Sequence, residues 1–326
     1  MILSSHIRNS ILGWYFALKV DDIKLVAVVG SGFMGYQIGQ EYAINGYEVN
    51  LYDNNNENLQ QAQNNIQRDL HIFTDLGLLK KEEINSVLKR IHLKETLEEA
   101  VREADLVVES VFEDLKVKQQ VLKELDQLCP EHTIFVSNSS GLPPSEMASA
   151  TKRPDKFLVA NHNNPTFLMP LLDVVRGKDT SDETVEIVYN LLTKMGKKPV
   201  IENEPGYVFN HLQRALLREA LSIVSQGIAS PEEVDIVLKE GVGRRYSLVG
   251  MFEHYDSFGR WDYLAGRWSD WVSLIESSTE IPKALKDNAK DGRTFFEWPP
   301  GSVDEYNRKL VTSLAEYHKF YRKIET

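Results

Sequence analysis

Gly30, Gly32 and Gly35 stand in the run Gly30-Ser31-Gly32-Phe33-Met34-Gly35, and Asp53 follows eighteen residues after the last of them. This spacing suits the capture of a dinucleotide pyrophosphate. The first glycine permits a tight turn, the second lets backbone approach a phosphate, and the third lets a helix lie close against a strand. The helix N-terminus behind them offers unpaired N–H groups and the positive end of a dipole. Phe33 and Met34 complete the turn and are grouped with it as cofactor-lining residues. An acid at position 53 can accept hydrogen bonds from both ribose hydroxyls and repels a 2′-phosphate. Asn54, Asn55 and Asn56 beside it supply no cation for such a phosphate, so the expected cofactor is NAD rather than NADP.

Such a turn works only between a strand and a helix, and the flanking sequence supplies both. Ile23 to Val29 is a continuous, β-branched apolar run, the mark of a strand buried on both faces. After the glycines a helical pattern runs through Ile38, Tyr42 and Ile44 and stops at Asn45-Gly46, and a second strand follows at 48–53. Together they form a βαβ unit. Helices are expected near 57–75, 81–91 and 115–127, and further strands at 106–109, 133–136, 156–160, 171–175 and 198–201. Alternating strands and helices predict an α/β fold, a Rossmann-type doubly wound, mostly parallel sheet. The pattern changes at Glu202-Asn203-Glu204-Pro205-Gly206, where a long helical stretch begins with apolar Val208, Leu212, Leu216, Ala220, Ile223 and Val224. Ser230-Pro231-Glu232-Glu233 opens a second helix with an N-cap, a proline and two acids. The expected organisation is an extension at 1–22, a dinucleotide-binding domain at 23–203 and an all-helical C-terminal domain at 204–326.

Composition bounds the partners. The 326 residues carry 42% hydrophobic and 26% charged side chains and a net charge of −11, a globular composition whose field repels nucleic acid and anionic membrane. The apolar stretch Ile11–Leu18 is too short to span a bilayer and reads as a surface-packed extension or an early start. With Cys129 alone, an internal disulfide is impossible and a reducing, cytoplasmic setting is expected. The apolar leading helix of the C-terminal domain suggests a homodimer formed through residues 204–326.

GSGFMG, the Asp53 strand, DLVVESVFEDLKVKQQVL, SNSSGL, a His–Asn–Pro segment before a strand, and PGYVFNHL resemble, in order and spacing, the 3-hydroxyacyl-CoA dehydrogenase superfamily. The run Gly241-Val242-Gly243-Arg244-Arg245-Tyr246 is similar to the branch that holds lambda-crystallin (L-gulonate 3-dehydrogenase) and carnitine dehydrogenase. The resemblance implies NAD-dependent oxidation of a hydroxyl group at a site between the two domains. It gives Glu113 and Lys118 to the ribose and nicotinamide side of the cofactor and Asn164 to the nicotinamide amide. Ser140 is implied to hydrogen-bond the reacting oxygen, with Ser137 and Ser139 as turn residues, and Asn210 to orient substrate.

The catalytic base departs from the family. Removing a hydride from an alcohol needs a group that takes the hydroxyl proton, and histidine suits that task near neutral pH. The family histidine stands four residues before the proline, where this chain has Asn161, and His162 comes one residue late. The acid paired with it in the family falls on Asp173. Strand neighbours point to opposite faces, so His162 serves as base, oriented by Asp173, only through a bulge or a one-residue slip. Another base or a relayed water, and a binding protein with lost catalysis, stay open beside that reading. Arg245 matches a carboxylate anchor of the lambda-crystallin-like branch, which implies a small 3-hydroxy acid, L-gulonate- or carnitine-like, oxidised to the 3-keto acid; a loop charge at the surface is the other reading. The alternatives are an NAD-dependent 3-hydroxyacyl-CoA dehydrogenase and a dinucleotide-binding structural or sensor protein.

Overall fold

A computed structural model describes residues 18–258, 265–267, 287 and 299–324. The apolar stretch 11–17 of the expected extension lies outside them. In chain order the elements are β1 (Leu25–Val29), α1 (Gly35–Ile44), β2 (Glu48–Tyr52), α2 (Asn56–Asp75), α3 (Ile84–Lys89), β3 (Ile91–Lys94), α4 (Leu97–Val101), β4 (Leu106–Glu109), α5 (Leu115–Leu128), β5 (Ile134–Ser137), α6 (Pro144–Ala148), β6 (Phe157–His162), β7 (Leu171–Arg176), α7 (Asp182–Lys194) and β8 (Lys198–Asn203). Helices follow: α8 (Val208–Ser225), α9 (Pro231–Val237), a π-helical stretch Leu238–Gly243, α10 (Met251–Phe258) and α11 (Ser302–Ile324).

The strands form one eight-stranded sheet in the order β3-β2-β1-β4-β5-β6-β7-β8. Neighbours are parallel except β6 and β7, which pair antiparallel, so β7 and β8 run against the other six. This is the expected doubly wound, mostly parallel sheet. β3 is the strand missed in the sequence. It is a short edge strand with one partner, and its Ile-His-Leu-Lys alternation is too brief to stand out beside the preceding helix.

The two faces of the sheet carry separate cores. Val26, Val28, Leu106, Val108, Val136, Leu158, Ala160, Leu172 and Val174 pack with Ile38 and Tyr42 of α1, residues of α2, and Val188 and Leu191 of α7. Val29, Val107, Phe135, Phe157, Val159 and Val175 pack on the other face with Leu122 and Leu125 of α5, Met147 and Tyr207. Adjacent strand residues therefore enter different cores, and a one-residue shift would exchange them.

The chain divides into two compact units, residues 1–208 with 304–326, and residues 209–303. The helical stretch expected at 204–326 is thus divided: most of α11 belongs to the unit that carries the sheet, where Ala315 is fully buried. Contacts with residues far back along the chain decide that grouping, and helical periodicity does not report them. Among the described residues no helix is long and apolar enough to cross a membrane.

Candidate functional site

The glycine turn sits where β1 ends. Gly30 adopts φ +96°, its N–H bonds the carbonyl of Tyr52 at 2.9 Å, and an added Cβ would lie 2.6 Å from the carbonyl oxygen of Ser110. A Cβ on Gly35 would collide with the carbonyl of Gly30, whereas a Cβ on Gly32 would meet nothing within 4 Å among the described residues. Two of the glycines are therefore demanded by the protein's own backbone, and the third leaves open space beside the turn. α1 starts there without a side-chain cap; the Tyr36 N–H bonds the Gly32 carbonyl at 3.3 Å, and the positive end of the helix dipole faces the turn. Phe33 projects at the surface and Met34 packs partly on the core.

Asp53, just past β2, braces the turn from the side. Its Oδ2 accepts from the Ser31 N–H at 2.7 Å and Ser31 Oγ at 3.2 Å, and its Oδ1 from the Asn55 N–H at 2.9 Å and Asn58 Nδ2 at 3.2 Å. An open glycine, an uncapped helix start and a carboxylate at the lip of the turn fit a dinucleotide's pyrophosphate and ribose.

A buried polar stripe continues along the same face of the sheet from the ends of β4 and β5. Lys118 of α5 is 0% exposed, and its ammonium lies 2.8 Å from Glu109 Oε1 and 3.4 Å from Glu113 Oε2, with the Val111 carbonyl at 3.3 Å. Glu109 also accepts from the Val111 N–H at 2.7 Å and from Ser137 Oγ at 2.6 Å. Glu113 reaches toward solvent and accepts from Ser139 Oγ at 2.7 Å and the Ser140 N–H at 2.9 Å. Lys118 therefore holds Glu113, and Glu113 holds the loop that exposes Ser140. Ser137 and Ser139, expected only as turn residues, are buried members of this network. Tyr207 joins it by donating to the Leu142 carbonyl at 2.6 Å; burial pushes its phenol well above the ordinary range.

The expected slip in β6 is absent. β6 and β7 pair without interruption, Asn161 opposite Asp173 and His162 opposite Leu172, and Asn161 Nδ2 donates to Asp173 Oδ2 at 3.1 Å. His162 points into the other core and does not meet Asp173, which corrects the reading of Asp173 as the group that orients its imidazole. Its Nδ1 lies 3.1 Å from the Ala160 carbonyl and 3.2 Å from Asn138 Oδ1, and its Nε2 is buried with no partner among the described residues. Burial, reinforced by the charge of Lys197, pushes the imidazole pKa down to about 3. Lys197 pairs on that side with Glu41, whose carboxyl burial raises to about 7 against the pull of the ammonium. Two buried cores fix the register, and the cost of exchanging every side chain of β6 outweighs any gain from turning one histidine.

Sequence reasoning missed Glu202 of β8. Val175 pairs with Glu202 and Asp173 with Val200, so Glu202 shares the face of Asp173 one diagonal step away. Glu202 Oε2 accepts from the Val208 N–H at 3.1 Å, at the start of α8. An acid directly after the apolar run Pro199-Val200-Ile201 was the signal that could have found it.

Asn164 is exposed in the loop after β6, which is tied to α1 where the Thr166 N–H donates to Gln37 Oε1 at 3.3 Å. Asn210 and Arg245 belong to the second unit. There Arg244 pairs with Glu240 at 2.8 Å, while Arg245 is exposed and has no ion pair among the described residues.

A Gly-rich turn at the C-terminal edge of a doubly wound parallel sheet, answered by an acid after β2, defines the class of NAD-binding dehydrogenases. Residues 25–204 match the family model of the 3-hydroxyacyl-CoA dehydrogenase NAD binding domain and residues 206–265 that of the C-terminal domain. The chain belongs to the 3-hydroxyacyl-CoA dehydrogenase family, with NAD as cofactor and a hydroxyl group as the point of attack. It is 39% identical over 222 residues to a probable 3-hydroxybutyryl-CoA dehydrogenase of Bacillus subtilis (strain 168), covering 68% of this chain and 77% of that protein. It is 31% identical over 271 residues to the lambda-crystallin homolog of Homo sapiens, covering 81% and 85%. Among solved structures, (S)-3-hydroxybutyryl-CoA dehydrogenase from Ralstonia eutropha superposes with a TM-score of 0.64 at 31% identity, covering 68% of this chain and 78% of that one.

Proposed function

We propose that this dehydrogenase oxidises a small 3-hydroxy carboxylate to the 3-keto acid. NAD, when bound, accepts the hydride. Gly30, Gly32 and Gly35 seat its pyrophosphate on the start of α1 and Asp53 takes the ribose hydroxyls. Glu113, held by Lys118, and Asn164 serve the nicotinamide side. Ser140 hydrogen-bonds the oxygen that becomes a ketone, Asn210 orients the substrate, and Arg245 holds its carboxylate.

One observation carries the choice of a free acid. Of the two adjacent arginines, Arg244 is committed to Glu240 while Arg245 keeps its guanidinium unpaired among the described residues. It follows the π-helical stretch Leu238–Gly243, a distortion that occurs frequently at functional sites. A planar guanidinium can take a carboxylate bidentately, and a thioester offers none at that place.

The second reading is a 3-hydroxyacyl-CoA thioester substrate, favoured by the named activity of the Bacillus subtilis relative. Steady-state kinetics with NAD on short 3-hydroxy acids and on their CoA thioesters separates the two. On the free-acid reading Arg245→Ala raises KM for the acid about 10–100-fold, the worth of a charge-assisted pair. Preferred turnover of the thioester, with Arg245→Ala indifferent, would sink the free-acid reading.

A further inference from the structure

With His162 turned away, the face that carries the polar stripe holds another group able to take a proton. Asn161, Asp173 and Glu202 are 4%, 1% and 7% exposed, and the registers of β6, β7 and β8 put them side by side. Asn161 gives Nδ2 to Asp173 and keeps Oδ1 without a donor among the described residues. Glu202 spends Oε2 on the start of α8, its Oε1 is buried and receives no hydrogen bond among the described residues, and the Asp173 carboxyl lies beside the Glu202 carboxyl. Two carboxyls brought side by side out of water repel when both are charged, and one proton shared between them relieves that repulsion.

We propose that Asp173 and Glu202 together are the proton acceptor of this dehydrogenase, a pair of buried carboxyls built to hold one proton, with Asn161 aligning the donor. The inference rests on the dehydrogenase reading above. Asp173 is the catalytic residue and Glu202 a positioning residue that acts through it. As the C–H bond of the carbinol carbon breaks and its hydride passes to NAD, the O–H bond breaks and its electron pair becomes the second bond of the ketone. The proton passes through one water held at Asn161 Oδ1 to the Asp173 carboxylate, is shared with the Glu202 carboxyl, and returns to solvent. The sum is alcohol and NAD⁺ to ketone, NADH and one proton.

The neighbours of the pair are consistent with this task. Glu109, Glu113 and Tyr207 lie on the same side, and the Lys118 ammonium there is committed to Glu109 and Glu113. Glu204, just beyond β8, turns instead to Ser145 and Lys178. Burial, with the charge of Asp173 added, holds the Glu202 carboxyl above its usual range against the pull of the Val208 and Tyr207 amides.

The test measures kcat/KM against pH on the intact enzyme with NAD, together with the infrared carboxylic-acid band of the substrate-free protein. Wild-type oxidation rises with pH through one ionisation above the ordinary carboxylate range. Glu202→Gln keeps an acceptor for the Val208 amide, so a merely structural role leaves the profile in place. On the proposal it moves that ionisation to lower pH, removes the titrating band and lowers kcat about 10–100-fold, part of the usual worth of base catalysis. Asp173→Asn lowers kcat on the order of 10²–10⁴-fold. A wild-type pH profile in Glu202→Gln, or a loss in His162→Gln as large as in Asp173→Asn, overturns the inference. Turnover without a titrating band also overturns it, whereas a titrating band without turnover of any hydroxy compound supports the pair and overturns the dehydrogenase reading.

Discussion

Replacing Lys118 by methionine tests whether its ammonium acts on the ligand or on the protein. The side chain is fully buried, and its charge is balanced by Glu109 at 2.8 Å and Glu113 at 3.4 Å. At an effective dielectric constant of about 20, the closer pair alone is worth roughly 6 kcal/mol of Coulomb attraction, set against several kcal/mol of desolvation for each ion. Methionine fills the volume but strands Glu109, which is 1% exposed, with the Val111 amide and Ser137 hydroxyl as its remaining donors among the described residues. Breaking a buried pair in this way costs about 3–5 kcal/mol, and the two surviving hydrogen bonds place the expected loss at the low end, about 3 kcal/mol. Urea unfolding followed by circular dichroism measures it. Lys118→Met with Glu109→Gln removes the stranded charge, so the double variant should recover about half or more of the loss. Because Glu113 loses its tether, NAD should also bind more weakly in the single variant by calorimetry. A Lys118→Met protein within about 1 kcal/mol of wild type would refute the claim that this lysine holds the network together.

Two other outcomes are expected. Asp53→Ala should weaken NAD by about 1–3 kcal/mol in calorimetry, the scale of hydrogen bonds to a charged group, and make NADP less disfavoured; equal binding of NAD and NADP by the wild type contradicts the role given to Asp53. His162 is held near pKa 3 in the folded chain against 6.5 when unfolded, so the unfolded state takes up the extra proton between those values. The stability due to the neutral imidazole is present above about pH 6.5 and lost as pH falls toward 3, and His162→Gln should flatten urea-unfolding stability across that window; an unchanged slope there counts against a buried neutral histidine.

Much of the dinucleotide half was legible from local pattern. A strand buried on both faces announces itself as an apolar run rich in β-branched residues, as Leu25–Val29 does within the stretch Ile23–Val29. The glycines were legible because their reasons are backbone reasons: Gly30 needs positive φ and Gly35 tolerates no Cβ beside the Gly30 carbonyl. Lys118 and Glu113 were singled out as a pair through resemblance. That the ammonium is sealed inside, fastening Glu113 and Glu109, follows from α5 lying across the end of β4, which no spacing reveals.

The amino-acid order by itself determined the βαβ unit, the glycine turn, Asp53 and the change to helices after β8, because each is set by interactions within a few residues or by burial on both faces. The register of β6, and with it the choice between Asn161 and His162, was decided by tertiary structure. A strand repeats every two residues, so either register leaves the local pattern acceptable and only the two cores distinguish them. Glu202 comes beside Asp173 because β8 pairs with β7 across an intervening helix, a contact between positions far apart in the chain. The grouping of α11 with the sheet-bearing unit has the same origin. Local chemistry identifies which residues can act, and long-range packing selects which of them meet.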